Sequence, residues 1–338
     1  MMTSESLVLL RNEEYFSEGN WIIVNPMDSA VFYELGANVK GFHQFYDIYE
    51  EAYAADFTRH EFNTHITDTS FDGAVIYMPK VKKHLVMLLD NLAHVLKPGG
   101  QIFIVGHNKS GIKSCVKQLS AVCENINKVD SAKHCGLFVG TVKTTKPNFN
   151  IDNYLTQQTY QLGEHQWEVC GLPSVFSQDA LDPGTKLLLE NLPTDIGSDI
   201  LDFACGAGVI AAFIGVQYSN VRLVLSDVSA LALYSAQKTL AANNLSGEVV
   251  ASNGLSNVAG NFTHIITNPP FHTGIRTDYG IVSEFLAQAN SHLVNQGRLL
   301  IVANSFLNYA QAIENHFTNV HTVAKNNKFV IYTSVKAK

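Results

Sequence analysis

Long apolar runs, paired cysteines and metal-ligand spacings are all missing from this chain. No stretch approaches the length needed to cross a bilayer, and residues 7–10 form too short an apolar run, with no basic start before them, for a secretory signal. Membrane attachment is therefore not expected. The five cysteines form no Cys-x-x-Cys pair and are odd in number, which argues against a disulfide framework and leaves reduced thiols in a cytoplasm as the expectation. Thirteen histidines show no metal-ligand spacing with cysteines or carboxylates, so no metal is expected. Charge is also scarce, at 16% against 46% hydrophobic residues, which suits an ordinary globular chain; 338 residues are enough for two domains.

The formal net charge of −7 is unevenly spread. Residues 1–72 carry 3 Lys+Arg against 13 Asp+Glu, residues 73–150 carry 11 against 3, and residues 151–338 carry 9 against 14. One strongly basic segment thus lies inside an acidic protein. It holds Lys80, Lys82 and Lys83, then Lys109, Lys113 and Lys117 at i, i+4, i+8, a spacing that predicts one face of one helix. Such a stripe is a candidate phosphate-tracking surface, although charge runs more often mark a solvated face.

The same segment exposes an internal repeat. Residues 91–105 have the plan of residues 289–302, each a helix, a glycine turn and a buried strand; residues 71–80 parallel 262–271, and residues 133–143 parallel 325–336. The spacing predicts two copies of one α/β module, a first at 1–145 and a second at 176–338, joined by a linker at 146–175. The fold class expected is α/β, with two Rossmann-like domains in tandem.

The second copy carries the chemistry. Residues 198–203 read as a short buried strand, 209–216 as the helix after it, and Asp202-Phe203-Ala204-Cys205-Gly206-Ala207-Gly208 as the turn between. Gly206 and Gly208 let the backbone turn tightly and approach a ligand closely, with a helix N-terminus behind. Asp227 ends the next strand, about 20 residues on, where a carboxylate can hold two ribose hydroxyls. This pattern alone also satisfies a dinucleotide fingerprint. Asp202 at the strand end favours S-adenosylmethionine (AdoMet) instead, with Ala204, Gly206, Gly208 and Asp227 as its expected contacts. Asn253, after the strand expected at 247–252, is a candidate for the adenine edge, with turn formation as its plain alternative. Phe176 and Gly184 are candidates for the methionine end, and core packing is as plausible for both. Cys205 is expected to be structural, since no basic partner stands near it to activate a thiolate.

Asn268-Pro269-Pro270-Phe271 follows 60 residues after the glycine turn. The amide oxygen of Asn268 and the carbonyl of Pro269 can accept the two N–H bonds of a planar exocyclic amine. Consecutive prolines, with fixed φ and no N–H, hold those acceptors rigidly, and Phe271 offers a face on which a base or amide can stack. His272 is a minor candidate for touching RNA. Residues 1–70 contain no Gly-x-Gly turn, and Tyr77-Met78-Pro79-Lys80 stands where the second copy has its amine motif, so the first copy is expected to be non-catalytic and to grip substrate with its basic face.

Together, Val175-Phe176-Ser177-Gln178-Asp179-Ala180-Leu181-Asp182-Pro183-Gly184-Thr185, Leu201-Asp202-Phe203-Ala204-Cys205-Gly206-Ala207-Gly208, Ser226-Asp227-Val228-Ser229 and Asn268-Pro269-Pro270-Phe271-His272 resemble the bacterial rRNA guanine-N2 methyltransferases, nearly end to end. Phe203-Ala204 stands where that family often shows Val-Gly. The resemblance implies a tandem of Rossmann-like class I AdoMet-methyltransferase domains, the first degenerate and only the second active, with AdoMet as cofactor and a guanine of 16S rRNA within the small ribosomal subunit as substrate. A monomer is expected. Residues alone leave open adenine N6, other rRNA guanines, a protein glutamine amide, and a non-catalytic assembly factor.

Overall fold

The computed structural model describes residues 2–177, 180–269, 272–273, 276–277, 279–307 and 309–336, and of residues 272, 273, 276, 277 and 279 the backbone alone. The chain divides into two compact units, residues 1–154 and 155–338. In the first, the helices are α1 (Ser4–Arg11), α2 (Val31–Glu34), α3 (Tyr46–Ala55), α4 (Lys82–Val95) and α5 (Cys115–Leu119). The strands β1 (Trp21–Val24), β2 (Val39–His43), β3 (His60–Phe62), β4 (Phe71–Tyr77), β5 (Leu96–His107), β6 (Cys123–Ala132) and β7 (Cys135–Val142) form one sheet in the order β3-β2-β1-β4-β5-β7-β6.

The second unit opens with a hairpin, β8 (Thr156–Leu162) and β9 (His165–Gly171), and α6 (Pro183–Leu189). Then come β10 (Asp199–Phe203), α7 (Val209–Gln217), β11 (Arg222–Asp227), α8 (Ala230–Ala242), β12 (Glu248–Ala251) and β13 (Phe262–Thr267). A short pair, β14 (His272–Thr273) and β15 (Arg276–Thr277), precedes α9 (Tyr279–His292), β16 (Leu293–Asn304), α10 (Tyr309–Glu314), β17 (Thr318–Lys325) and β18 (Phe329–Val335). Its sheet runs β12-β11-β10-β13-β16-β18-β17, the order of the first sheet repeated strand for strand.

The repeat extends to detail. β4 and β13 each break register against the following strand near their first residues, between Phe71 and Gly73 and between Phe262 and His264. β5 and β16, both 12 residues long, are buried and exposed at the same positions along their lengths. The interior strands are apolar on both faces, as parallel strands covered by helices must be: Trp21, Ile22, Ile23 and Val24 are all buried, as are Ile200 and Leu201.

The segment expected to be a linker is folded. Residues 151–154 form a short 3₁₀ turn in the first unit. The β8–β9 hairpin belongs to the second, where Thr239 Oγ1 accepts from Cys170 N–H at 2.9 Å, Ser235 Oγ from Leu172 N–H at 3.0 Å and Asn243 Oδ1 from Glu168 N–H at 2.9 Å. α8 and its C-cap residue Asn243 thus cap one edge of the hairpin with side-chain oxygens, where the sequence predicted only a linker.

Register identifies what the first unit has in place of the second unit's polar groups. Val24 pairs with Phe42 and Ile76 as Phe203 pairs with Ser226 and Thr267, so Ile23 corresponds to Asp202, His43 to Asp227 and Tyr77 to Asn268. Tyr77 and the residues that follow β1 and β2 are hydrogen-bonded internally. The Tyr77 hydroxyl lies 2.7 Å from Ser6 Oγ on α1, and Ser6 Oγ donates to Asp28 at 2.6 Å. Asn25 Nδ2 donates to Gln44 Oε1 at 2.8 Å, Gln44 N–H donates back to Asn25 Oδ1 at 2.8 Å, and His84 Nε2 lies 2.7 Å from Gln44 Oε1.

This network predicts acid lability. Burial lowers the His84 pKa from 6.5 to about 4, and burial likewise takes His43 to about 3 and His60 to about 4. The unfolded chain takes up these protons near pH 6.5 while the folded unit does not. Stability is therefore complete above pH 6.5 and declines as pH falls from there toward 4. His84 alone contributes a slope of about 1.4 kcal/mol per pH unit. Urea midpoints for the first unit at pH 7 and pH 5 should differ accordingly, and less in His84→Gln; equal midpoints in the parent protein would contradict the assignment.

Candidate active site

In the second sheet β10 lies between two parallel neighbours, so the carboxyl ends of β11, β10 and β13 converge on one edge. Phe203 pairs with Ser226 on one side and Thr267 on the other, and Thr267 Oγ1 donates to the Phe203 carbonyl at 2.8 Å. An open α/β sheet forms its ligand crevice at such a switch point. The glycine turn, Asp227 and Asn268 are brought together there.

The turn is built from left-handed residues: Ala204 at φ 54°, Gly206 at 54° and Gly208 at 75°. Ala204 pays the cost of a Cβ in that region. At Gly206 a Cβ would lie 3.3 Å from the Phe176 carbonyl, and at Gly208 it would lie 3.2 Å from Ala236 Cα and Cβ. The loop is tied down by Cys205 N–H to the Ser226 carbonyl at 3.0 Å and by Gly206 N–H to Asp227 Oδ2 at 2.9 Å. Asp227 Oδ1 accepts Ser229 N–H at 2.9 Å, and Asp202 Oδ2 accepts Ala211 N–H at 3.0 Å. Both acids therefore brace backbone.

Their electrostatics follow from burial. Asp202 is 1% exposed, and burial raises its pKa well above the usual carboxylate value, with Asp227 adding to the rise and the Ala211 N–H opposing it. Its Oδ1 is buried without a hydrogen-bond partner among the described residues. Asp227 keeps part of its surface open, yet burial of its carboxylate raises its pKa against the pull of the Ser229 and Gly206 N–H groups. A ligand bringing N–H or O–H donors, or positive charge, to Asp202 Oδ1 and Asp227 relieves both. The AdoMet expected from the sequence, with its ammonium, sulfonium and ribose hydroxyls, has that character. Cys205 is buried, and burial pushes its thiol well up, so it is no thiolate nucleophile.

On the other side of β10, Asn268 is partly buried and Pro269 fully so. The Asn268 side-chain nitrogen donates to Asp182 Oδ2 at 3.0 Å and to Thr185 Oγ1 at 2.9 Å. Both N–H bonds are thus used, and among the described residues none donates to the amide oxygen, the atom that suits an incoming donor. Asp182 and Thr185 were read in the sequence only as part of a resemblance. Asp182 before Pro183 is a legible helix start, but nothing in one dimension shows that the start meets the end of β13.

Pro270 and Phe271 lie outside the described residues, as does the side chain of His272. Phe176 sits beside the glycine turn and is 54% exposed. Gly184 is in the first turn of α6, where a Cβ would lie 3.1 Å from the Phe329 ring. Asn253 falls beyond β12, exposed, and its carbonyl accepts from Ser256 Oγ at 3.0 Å. A cavity of about 370 Å³ lined by Ser198 and Tyr218 lies at the opposite, amino-terminal end of β10 and contains none of these residues.

The expected helical lysine stripe is corrected by the structure. Lys109 is in one 3₁₀ turn (Asn108–Ser110), Lys113 in another (Ile112–Ser114) and Lys117 in α5. Gly111, at φ 77°, breaks the run. All three are exposed, as are Lys80 before α4 and Lys82 and Lys83 in its first turn, and none is in an ion pair among the described residues.

Residues 166–333 match the family model described as methyltransferase small domain, and residues 6–158 the one described as methyltransferase small domain N-terminal. The chain is 45% identical to ribosomal RNA small subunit methyltransferase C of Pseudoalteromonas atlantica, covering 98% of this chain and 99% of that protein. It is 37% identical to the protein of the same name from Shewanella halifaxensis, covering 99% of this chain and 100% of that one. Among solved structures it resembles a T. thermophilus 16S rRNA N2 G1207 methyltransferase (RsmC) in complex with AdoMet and guanosine, with TM-score 0.82, 19% identity, and coverage of 97% of this chain and 92% of that one. At that identity the likeness speaks to the fold.

The packing at Gly208 yields a test. Gly208→Ala adds a left-handed Cβ against Ala236 and Leu225, both 3.2 Å away. The second unit should lose more than about 1 kcal/mol, read as a lower thermal midpoint; an unchanged midpoint would refute the described turn.

Proposed function

Since the chain belongs to the ribosomal RNA small subunit methyltransferase C family, we propose that it methylates the N2 amine of a guanine in 16S rRNA, at the position 1207 named for the solved relative. The observation that carries this reading is the meeting, at the ends of β10, β11 and β13, of a braced glycine turn, the buried Asp202, the partly buried Asp227 and an asparagine whose two side-chain N–H bonds are already used. AdoMet, when bound, supplies an electron-poor methyl group on a sulfonium.

Asp202, Ala204, Gly206, Gly208 and Asp227 hold that cofactor, with Phe176 at the rim and Asn253 near the adenine. Asn268 Oδ1 and the Pro269 carbonyl accept the two N–H bonds of the guanine amine. The amine lone pair is delocalised into the base, and accepting both N–H bonds favours a pyramidal nitrogen with that pair free to attack. Rate acceleration then comes from orientation and preorganised dipoles. As the nitrogen becomes cationic it can shed a proton to water, so no carboxylate base is required at the motif. Phe271 supplies a stacking face for the extruded base, whose unstacking costs a few kcal/mol. The first unit holds no cofactor and contributes the exposed lysines as phosphate contacts on the small subunit's RNA. Family membership favours this reading over a glutamine amide or a purely structural assembly factor.

Asn268→Ala should lower turnover by a factor of about 100 or more while calorimetry still finds one AdoMet site per chain. Two sites per chain, or a mutant keeping a tenth of parental turnover, would sink the assignment.

Replacing Lys109, Lys113 and Lys117 together by Ala should weaken RNA binding and reduce the salt slope of log K by up to about 0.9 per lost duplex contact, with AdoMet affinity unchanged. Unaltered binding at every salt concentration would make these lysines a solvated surface only.

A further inference from the structure

We propose that Asp182 and Thr185 are positioning residues for the reaction, fixing the orientation and polarity of the Asn268 amide. This inference rests on reading Asn268 as the acceptor for the substrate amine. An asparagine side chain is nearly symmetric in shape: a half-turn about its last bond exchanges an acceptor for a donor. In the wrong orientation Asn268 would present N–H to the amine's N–H and repel it. The site must therefore select one orientation before substrate arrives.

The structure contains that selector. Asp182 Oδ2 accepts from Asn268 Nδ2 at 3.0 Å, and Thr185 Oγ1 accepts from the same nitrogen at 2.9 Å. A hydroxyl could serve either orientation by rotating its proton, but a carboxylate oxygen accepts only, so Asp182 supplies the discrimination. Its oxygen is itself pinned: Oδ2 also accepts Thr185 N–H at 2.9 Å, as the N-cap of α6. Thr185 is 3% exposed, which fixes its hydroxyl and raises the cost of an unmet N–H.

Asp182 also acts through charge. A carboxylate behind the N–H end of an amide polarises it and makes the far oxygen more negative. That oxygen faces the atom on which positive charge develops as the methyl arrives, so the effect is larger in the transition state than in the ground state. Loss of either partner should therefore appear in kcat rather than in binding.

The test uses the full-length protein with small-subunit RNA as substrate and calorimetry with AdoMet. Thr185→Val keeps the backbone cap and removes one acceptor; Asp182→Asn keeps an oxygen for the cap and removes the charge. Each should lower kcat about ten- to a hundredfold, with RNA KM and AdoMet affinity within about twofold of the parent. Thr185→Ser, which restores the acceptor, should return kcat to within about threefold. If Thr185→Val and Asp182→Asn both keep parental kcat while Asn268→Ala is inactive, the positioning role is wrong and the acceptor role stands. If the two variants lose AdoMet affinity in step with kcat, Asp182 and Thr185 only support the fold, and the inference is again overturned. If Asn268→Ala itself keeps its turnover, the acceptor reading falls and takes this inference with it.

Discussion

Everything at the candidate site depends on β10 having a parallel neighbour on each side. Because Phe203 is in register with both Ser226 and Thr267, three chain segments leave the sheet at the same level and within reach of one another. Asp202, Asp227 and Asn268 are far apart in sequence and are united only by that pairing. No single loop could present them, since each takes its direction from a different strand. The sheet provides rigidity, and the loops provide chemistry.

Holding buried acids beside a left-handed turn is unfavourable in isolation. Desolvation raises the pKa values of Asp202 and Asp227, and Ala204 occupies a backbone region that penalises a Cβ. Backbone N–H groups from Gly206, Ala211 and Ser229 offset part of that cost. What remains is matched by the chemistry of a cationic, hydroxyl-bearing ligand. On the far side of β10 the same economy of design gives Asp182 two tasks, capping α6 and receiving the Asn268 amide.

Much of this was legible in one dimension. Alternation of helix, glycine turn and buried strand exposed the duplication, and the structure repeats it down to the register break at Phe71 and Phe262. The positions of Gly206, Gly208, Asp227 and Asn268 at strand ends follow from local pattern, since strand and turn signals are short-range. The lysine spacing misled because periodicity ignores a single residue: Gly111 at φ 77° ends one turn and restarts another. The β8–β9 hairpin was missed, and the groups that cap its edge, Ser235, Thr239 and Asn243, lie over 60 residues away where no local pattern joins them to it. The partners of Asn268 were hidden for the same reason, as they belong to a helix start 83 and 86 residues upstream.

The closed network in the first unit has a thermodynamic meaning. Where the second unit leaves Asp202 Oδ1 without a partner among the described residues, the first has Ile23 at the matching position and joins Asn25, Gln44 and His84 to one another. A site that waits for a ligand gains stability only by mass action, about 2.7 kcal/mol at a hundredfold excess over Kd and nothing when the ligand is scarce. A site that has internalised its partners holds the same fold at any metabolite level. The first copy is thus constant where the second is responsive, and starvation of the cofactor would reach the protein through one half only.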